Sequence, residues 1–252
     1  GKGSEILEGR CSGTKRATEN YIGIKGFVPV SMTDWDKYLS AVIFFGNCNF
    51  KCTYCHNPEI AFSPDLPELD RAYIVTNLIS RKNWLEGVVL SGGEPTLNPY
   101  LFEFIKEIKD IGFKVKLDTN GSKPHVVSYL LKNNLIDYIA LDVKTSLSEY
   151  HKLTGNLFDV NNLTKTIDLI LKSGIDHEFR TTIYPEYISK HNINKIINLI
   201  SGCKLYVLQQ FNPKKTLSKK AGEFQPYKKE DAMFFLKEIE KEGIKVVMKG
   251  FS

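Results

Sequence analysis

The chain has 252 residues, 42% hydrophobic and 25% charged, with a formal net charge of +5, enough apolar material to bury one core of ordinary size. No segment approaches the roughly 18 to 20 uninterrupted apolar residues of a membrane span. The lysines are scattered or paired, as at Lys214-Lys215, Lys219-Lys220 and Lys228-Lys229, without the long basic block that would argue for nucleic acid.

In chain order, residues 1–25 are rich in glycine and serine, lack periodicity and read as an N-terminal extension; residues 26–252 read as one domain. Apolar runs expected to be buried strands follow at Leu39–Phe45, Gly87–Leu90, Lys114–Leu117, Tyr138–Val143, Glu178–Ile183 and Leu205–Phe211, with a last one at Lys245–Met248. Helical spacing lies between them: Ile74, Val75, Leu78 and Ile79 share a face, as do Leu101, Phe104, Ile105 and Ile108. The same spacing returns at Leu163, Ile167, Ile170 and Leu171, at Ile193, Ile196, Ile197 and Ile200, and at Ala232, Phe235, Leu236 and Ile239. Six alternations of strand and helix predict an α/β fold, a partial (β/α)6 TIM-like barrel with parallel strands and right-handed crossovers. Trp35 and Trp84 are expected to pack that barrel.

In such folds ligands bind at the carboxyl ends of the strands, and the polar residues gather there. Strand one leads into C-N-F-K-C-T-Y-C (Cys48–Cys55), strand two into S-G-G-E-P (Ser91–Pro95) and strand three into D-T-N-G (Asp118–Gly121). The fourth ends with Asp142 and Lys144, the fifth carries Arg180 and Thr182, and the sixth ends in Q-Q-F-N-P.

Cys48, Cys52 and Cys55 stand in a C-x3-C-x2-C spacing. Three thiolates so close can hold three irons of a cubic iron-sulfur cluster and leave the fourth iron open to a small molecule. A structural zinc site would want four closed ligands, and only His56 stands by as a fourth. Five cysteines, an odd number, with no apolar leader, argue against disulfides and for a reducing cytoplasm. The isolated Cys11 and Cys203 read as structural or incidental. His56 is either catalytic or a polar neighbour of the cluster.

With Tyr54 before the last cysteine and Gly92, Gly93 and Glu94 at the next strand end, the chain resembles the radical S-adenosylmethionine (SAM) enzymes from about Gly26 to the C-terminus. The resemblance implies a 4Fe-4S cluster on Cys48, Cys52 and Cys55, with SAM chelating the open iron through its amino and carboxylate groups. Reductive cleavage then gives methionine and a 5'-deoxyadenosyl radical. Gly92, Gly93 and Glu94 would meet the amino group, with the glycines allowing close approach of backbone to ligand. Lys144 or Arg180 would hold the carboxylate. Asp118, Thr119, Asn120, Asp142 and Thr182 would line the cofactor, and the adenine would lie near Tyr54.

Within that superfamily the chain is similar to activating enzymes of glycyl-radical proteins, of the anaerobic ribonucleoside-triphosphate reductase type. The similarity rests on G-F-V-P-V-S (Gly26–Ser31), Asp34-Trp35, C-T-Y-C-H-N-P (Cys52–Pro58), D-T-N-G, L-D-V-K and V-L-Q-Q-F-N-P; Asp36-Lys37 replaces the Pro-Gly of many such enzymes. It implies abstraction of a glycine Cα hydrogen from a partner, an anaerobic ribonucleotide reductase, with a flavodoxin or ferredoxin-type reductant, no membrane and no nucleic acid. A radical enzyme acting on a small molecule or modified nucleoside, and a non-enzymatic iron-sulfur protein, are the competing readings.

Overall fold

The structure, a computed structural model, describes residues 21–154 and 158–251. Cys11 and residues 1–20 of the expected extension lie outside the described residues. Among the described residues eight strands form one open sheet in sequential order: β1 (Ile24–Ser31), β2 (Ser40–Phe45), β3 (Gly87–Gly92), β4 (Lys114–Thr119), β5 (Tyr138–Asp142), β6 (Asp176–Ile183), β7 (Tyr206–Gln210) and β8 (Val246–Lys249). From β2 to β8 every pairing is parallel, as the alternation of strand and helix requires. β1 is the departure: it pairs antiparallel with β2. The segment G-F-V-P-V-S, identified in the sequence as a motif, is thus an edge strand, and Pro29, which cannot donate to a ladder, falls where the register with β2 shifts between Val28 and Ser31.

The period of two along each strand sorts residues between two faces. Ala41, Ile43 and Phe45 of β2 join Val88 and Leu90 of β3, Val115 and Leu117 of β4 and Ile139 and Leu141 of β5 in the main core, together with Ile74, Leu78, Phe104, Ile105 and Ile108 from the helices Arg71–Ser80 and Leu101–Ile111. The alternate residues Val42 and Val89 face the other way, onto Trp35 and Tyr138. On that concave face Lys116 of β4 reaches Glu178 of β6 at 3.1 Å across the intervening β5, a contact that only a strongly curled sheet allows. The two edges of the sheet are tied by Lys249 at the end of β8, whose Nζ donates to Asp36 in the β1–β2 loop at 2.7 Å.

Trp35 packs the inside of the curl, 3% exposed and edge-on to Tyr38. Trp84 does not: it is 49% exposed in the turn after the helix Arg71–Ser80. Ile79 is likewise exposed, because that short helix turns only Ile74 and Leu78 fully into the core. Cys203 is buried among core residues, and burial pushes its thiol up to about 12. Among the described residues no helix is long and apolar enough to cross a membrane.

Candidate active site at the carboxyl ends of the strands

A cavity of about 430 Å³ opens at the carboxyl ends of the parallel strands. All of the residues anticipated from sequence line it: Cys48, Cys52, Tyr54, Cys55, Gly92, Gly93, Glu94, Asp118, Thr119, Asn120, Asp142, Lys144, Arg180 and Thr182, with His56 beside them. Asp34, Phe44, Gln209, Lys249 and Gly250 also line it. Of these, Lys249 was hidden because the last strand is short and weakly patterned, although its place one residue beyond the run ending at Met248 is the signal that would have found it.

The cysteine loop is held by backbone hydrogen bonds to the loop after β3. Gly93 N–H donates to Phe45 O at 2.8 Å and Glu94 N–H to Asn47 O at 2.7 Å. Further along, Lys51 N–H donates to Leu153 O and Ser218 N–H to Thr53 O, so the loop is fixed from both sides. The two strand-end loops touch closely. A Cβ on Gly93 would come within 2.0 Å of Asn47 O, and one on Gly92, whose φ is +121°, within 2.2 Å of Phe45 O. The need for glycine here is therefore internal: bulk at Gly93 would meet the cysteine loop's own backbone.

Glu94 is buried and its carboxylate is taken by the protein. Oε1 accepts from the Thr96 N–H and hydroxyl and from the Thr119 hydroxyl, and Oε2 from the Asn120 N–H at 2.7 Å. Burial is the main influence on this carboxyl and raises its pKa against the pull of those donors. Glu94 thereby ties the loop after β3 to the D-T-N-G loop after β4.

The charged residues form one network on the concave face. Arg180 donates through Nε to Asp142 at 2.8 Å and through Nη1 to Asp118 at 3.1 Å. Asp142 also accepts from Lys144 Nζ at 3.3 Å, and Asp118 from the Ser91 hydroxyl at 3.2 Å. Burial would raise the Asp142 carboxyl, but Arg180 and Lys144 together bring it down to about 2. For Lys144, burial pulls toward the neutral amine, and Asp142 leads the interactions that override it, leaving its pKa well above the usual value. Burial lowers the His56 pKa, and the charge of Lys144 adds to that.

The cysteines are free thiols, with Cys52 the most buried. Burial pushes the Cys48 thiol up to about 11 and the Cys52 thiol up to about 12, so they are neutral until a metal takes their protons. Among the described residues no three Cys, His, Asp or Glu side chains converge on a point that would hold a single metal ion. A cubic cluster is bound by thiolates at separate corners. Among the described residues, two buried polar atoms of the cavity, Asp118 Oδ1 and the Tyr54 hydroxyl, have no hydrogen-bond partner, although Lys116 Nζ stands 3.8 Å from the former. The donor set and these two atoms fit an iron-sulfur cluster with a polar organic ligand beside it.

Residues 42–200 match the Radical SAM superfamily, and the chain belongs to that superfamily, whose cofactors are a 4Fe-4S cluster and SAM. Over 198 residues it is 38% identical to a Methanocaldococcus jannaschii protein named "Putative glycyl-radical enzyme activating enzyme", covering 76% of this chain and 80% of that one. A pyruvate formate-lyase-activating enzyme of Clostridium pasteurianum is 28% identical over 210 residues, 80% of this chain and 84% of that one. In fold, the chain is similar to SuiB of Streptococcus suis solved with S-adenosylmethionine (TM-score 0.64, 16% identity, covering 81% of this chain and 48% of that one).

Proposed function

We propose that this protein is a cytoplasmic activase that removes a glycine Cα hydrogen from a partner glycyl-radical enzyme, an anaerobic ribonucleotide reductase. The observation that carries the reading is the gathering of Cys48, Cys52 and Cys55 with charged strand ends around a single cavity, in a chain similar over most of its length to proteins named as activating enzymes. Cys48, Cys52 and Cys55 would hold the cluster. With a flavodoxin or ferredoxin-type reductant, the cluster and SAM supply the electron and the carbon-centred radical that accepts the hydrogen atom.

The chain's own part is to bind, orient and exclude water. The N–H groups of Gly93 and Glu94 are spent on Phe45 and Asn47, and the Glu94 carbonyl on the Leu97 N–H, so the Gly93 carbonyl is the one we assign to the SAM amino group. Lys144 offers a point charge to the SAM carboxylate. Asp118 Oδ1, buried and accepting no hydrogen bond, with Lys116 Nζ 3.8 Å away, is an acceptor in reserve for a ligand N–H or O–H, and Tyr54 lies against Tyr184 and Tyr187, an aromatic wall for the adenine. Asn120, Thr119 and Thr182 complete the lining. Among the described residues Cys203 is the only cysteine outside the loop.

The test is anaerobic incubation of the reconstituted protein with reductant, SAM and the reductase. The expected result is 5'-deoxyadenosine together with a glycyl doublet in the partner's paramagnetic resonance spectrum, and deuterium transfer from a labelled glycine. Cleavage of SAM with hydrogen drawn from a small metabolite instead would replace this reading with the small-molecule one. Absence of any cleavage in Cys52-intact, fully loaded protein with partner present would sink both.

A further inference from the structure

The three cysteine sulfurs are not treated alike by the protein. Cys48 Sγ accepts from the Phe50 N–H at 3.4 Å and from the Asn120 side-chain amide at 3.9 Å. Among the described residues no hydrogen bond reaches the sulfurs of Cys52 or Cys55. The direction of the Asn120 amide is set by its surroundings. Its Oδ1 accepts from the Ser122 N–H at 2.9 Å, and a backbone donor there requires the oxygen on that side. Nδ2 is thereby turned toward Cys48 and toward Asn49 Oδ1, 3.0 Å away. The Asn120 backbone is pinned in turn by Glu94 Oε2, and the residue is 4% exposed.

We propose that Asn120 is a positioning residue that raises the reduction potential of the cluster by donating one amide hydrogen to the Cys48 thiolate, while Asn49 Oδ1 accepts the other and holds the amide in place. The inference rests on the reading of Cys48 as a cluster ligand. A hydrogen bond withdraws electron density from a thiolate and favours the more negative, reduced cluster, and such bonds are among the main determinants of iron-sulfur potentials. Iron binding also makes the sulfur an anionic acceptor, which strengthens the bond over that of a thiol. Asn49 takes the amide's second hydrogen and so fixes the direction of the first. Removing Asn120 removes the donor to the sulfur, and removing Asn49 only loosens it, so both should act with the same sign and Asn49 more weakly.

The experiment is a redox titration of the reconstituted protein without SAM, followed by the paramagnetic resonance signal of the reduced cluster, after iron and sulfide have been quantified. Asn120→Ala should weaken reduction about tenfold, 59 mV lower for a one-electron couple. Asn49→Ala should shift the potential downward by less than Asn120→Ala does, because the donor to the sulfur remains but loses the acceptor that orients it. Should Asn120→Ala load poorly, the isosteric Asn120→Asp keeps the acceptor for Ser122 while replacing the donor with an anionic oxygen, and a larger downward shift is expected. Unchanged potentials in the fully loaded Asn120 variants, or a downward shift in Asn49→Ala as large as that in Asn120→Ala, would overturn the proposal. Failure of the underlying reading is separately visible, since it would show as full iron content in Cys48→Ala.

Discussion

Replacing Glu94 by Gln tests whether this carboxylate, 1% exposed, is the tie that holds the mouth of the site together. It receives four hydrogen bonds, three at Oε1 and one at Oε2, and an amide has one acceptor oxygen. If Gln keeps that oxygen toward Thr96 and Thr119, its NH2 faces the Asn120 N–H, and one hydrogen bond to a charged acceptor is lost. Such a bond contributes about 1.5 to 3 kcal/mol, and stranding a buried donor costs about 1 to 3 kcal/mol. Against this, removing a charge that burial already disfavours returns part of the loss. The expected net cost is about 2 to 4 kcal/mol, read as a lower urea midpoint at unchanged slope in the metal-free protein. Glu94→Ala, which strands all four donors, should cost more. A loss below about 0.5 kcal/mol for both variants would refute the tie and return Glu94 to a purely ligand-facing role.

Two other perturbations separate the charged residues. Lys144→Ala should leave the cluster in place and weaken SAM binding roughly 10- to 100-fold, the range of one charge-assisted hydrogen bond; Arg180→Ala should instead cost about 3 to 5 kcal/mol of stability by leaving carboxylates unpaired, and equal effects of the two on both readouts would be the refuting result. Asp142 has a folded pKa of about 2 against an ordinary 3.8, so its contribution to stability is present above the ordinary value and is lost as pH falls through the folded one. Acid titration of stability should therefore show a loss in that window that Asp142→Asn diminishes, and an unchanged profile in the variant would show that Asp142 does not carry it.

The parallel strands and the helices were legible because burial writes itself into spacing: Leu101, Phe104, Ile105 and Ile108 are all buried, as their period implied. The cavity lining was legible because strand ends in a parallel sheet share one rim, so each polar motif could be placed without knowing the crossing angles. β1 was not read as a strand, since Pro29 and Gly26 argue against a central strand and the sequence does not state that this one lies at an edge. Nor was the role of Lys116 and Glu178 visible. A lysine alternating with apolar residues reads as solvent-facing, and only the curl of the sheet, which brings β4 and β6 across β5, gives it a buried partner. The same limit applies to Gly92 and Gly93. Their need for small size was anticipated, but the obstacle is the cysteine loop's backbone, a tertiary neighbour distant in sequence.

The curl also explains how the two cations of the mouth come to differ. On the concave face Lys116, Arg180 and Lys144 meet Glu178, Asp118 and Asp142 in one connected set, so opposite charges balance where a low dielectric would punish any excess. Position in the set then decides function. Arg180 sits in its middle, forked between Asp142 and Asp118 with Glu178 at 3.8 Å, and its planar guanidinium is fixed by the carboxylates it already serves. Lys144 stands at the end of the set, with one carboxylate partner at 3.3 Å and a flexible stem. Under the proposed function an incoming carboxylate would draw on Lys144 at the cost of its contact with Asp142, while Arg180 keeps Asp118 and Asp142 in place.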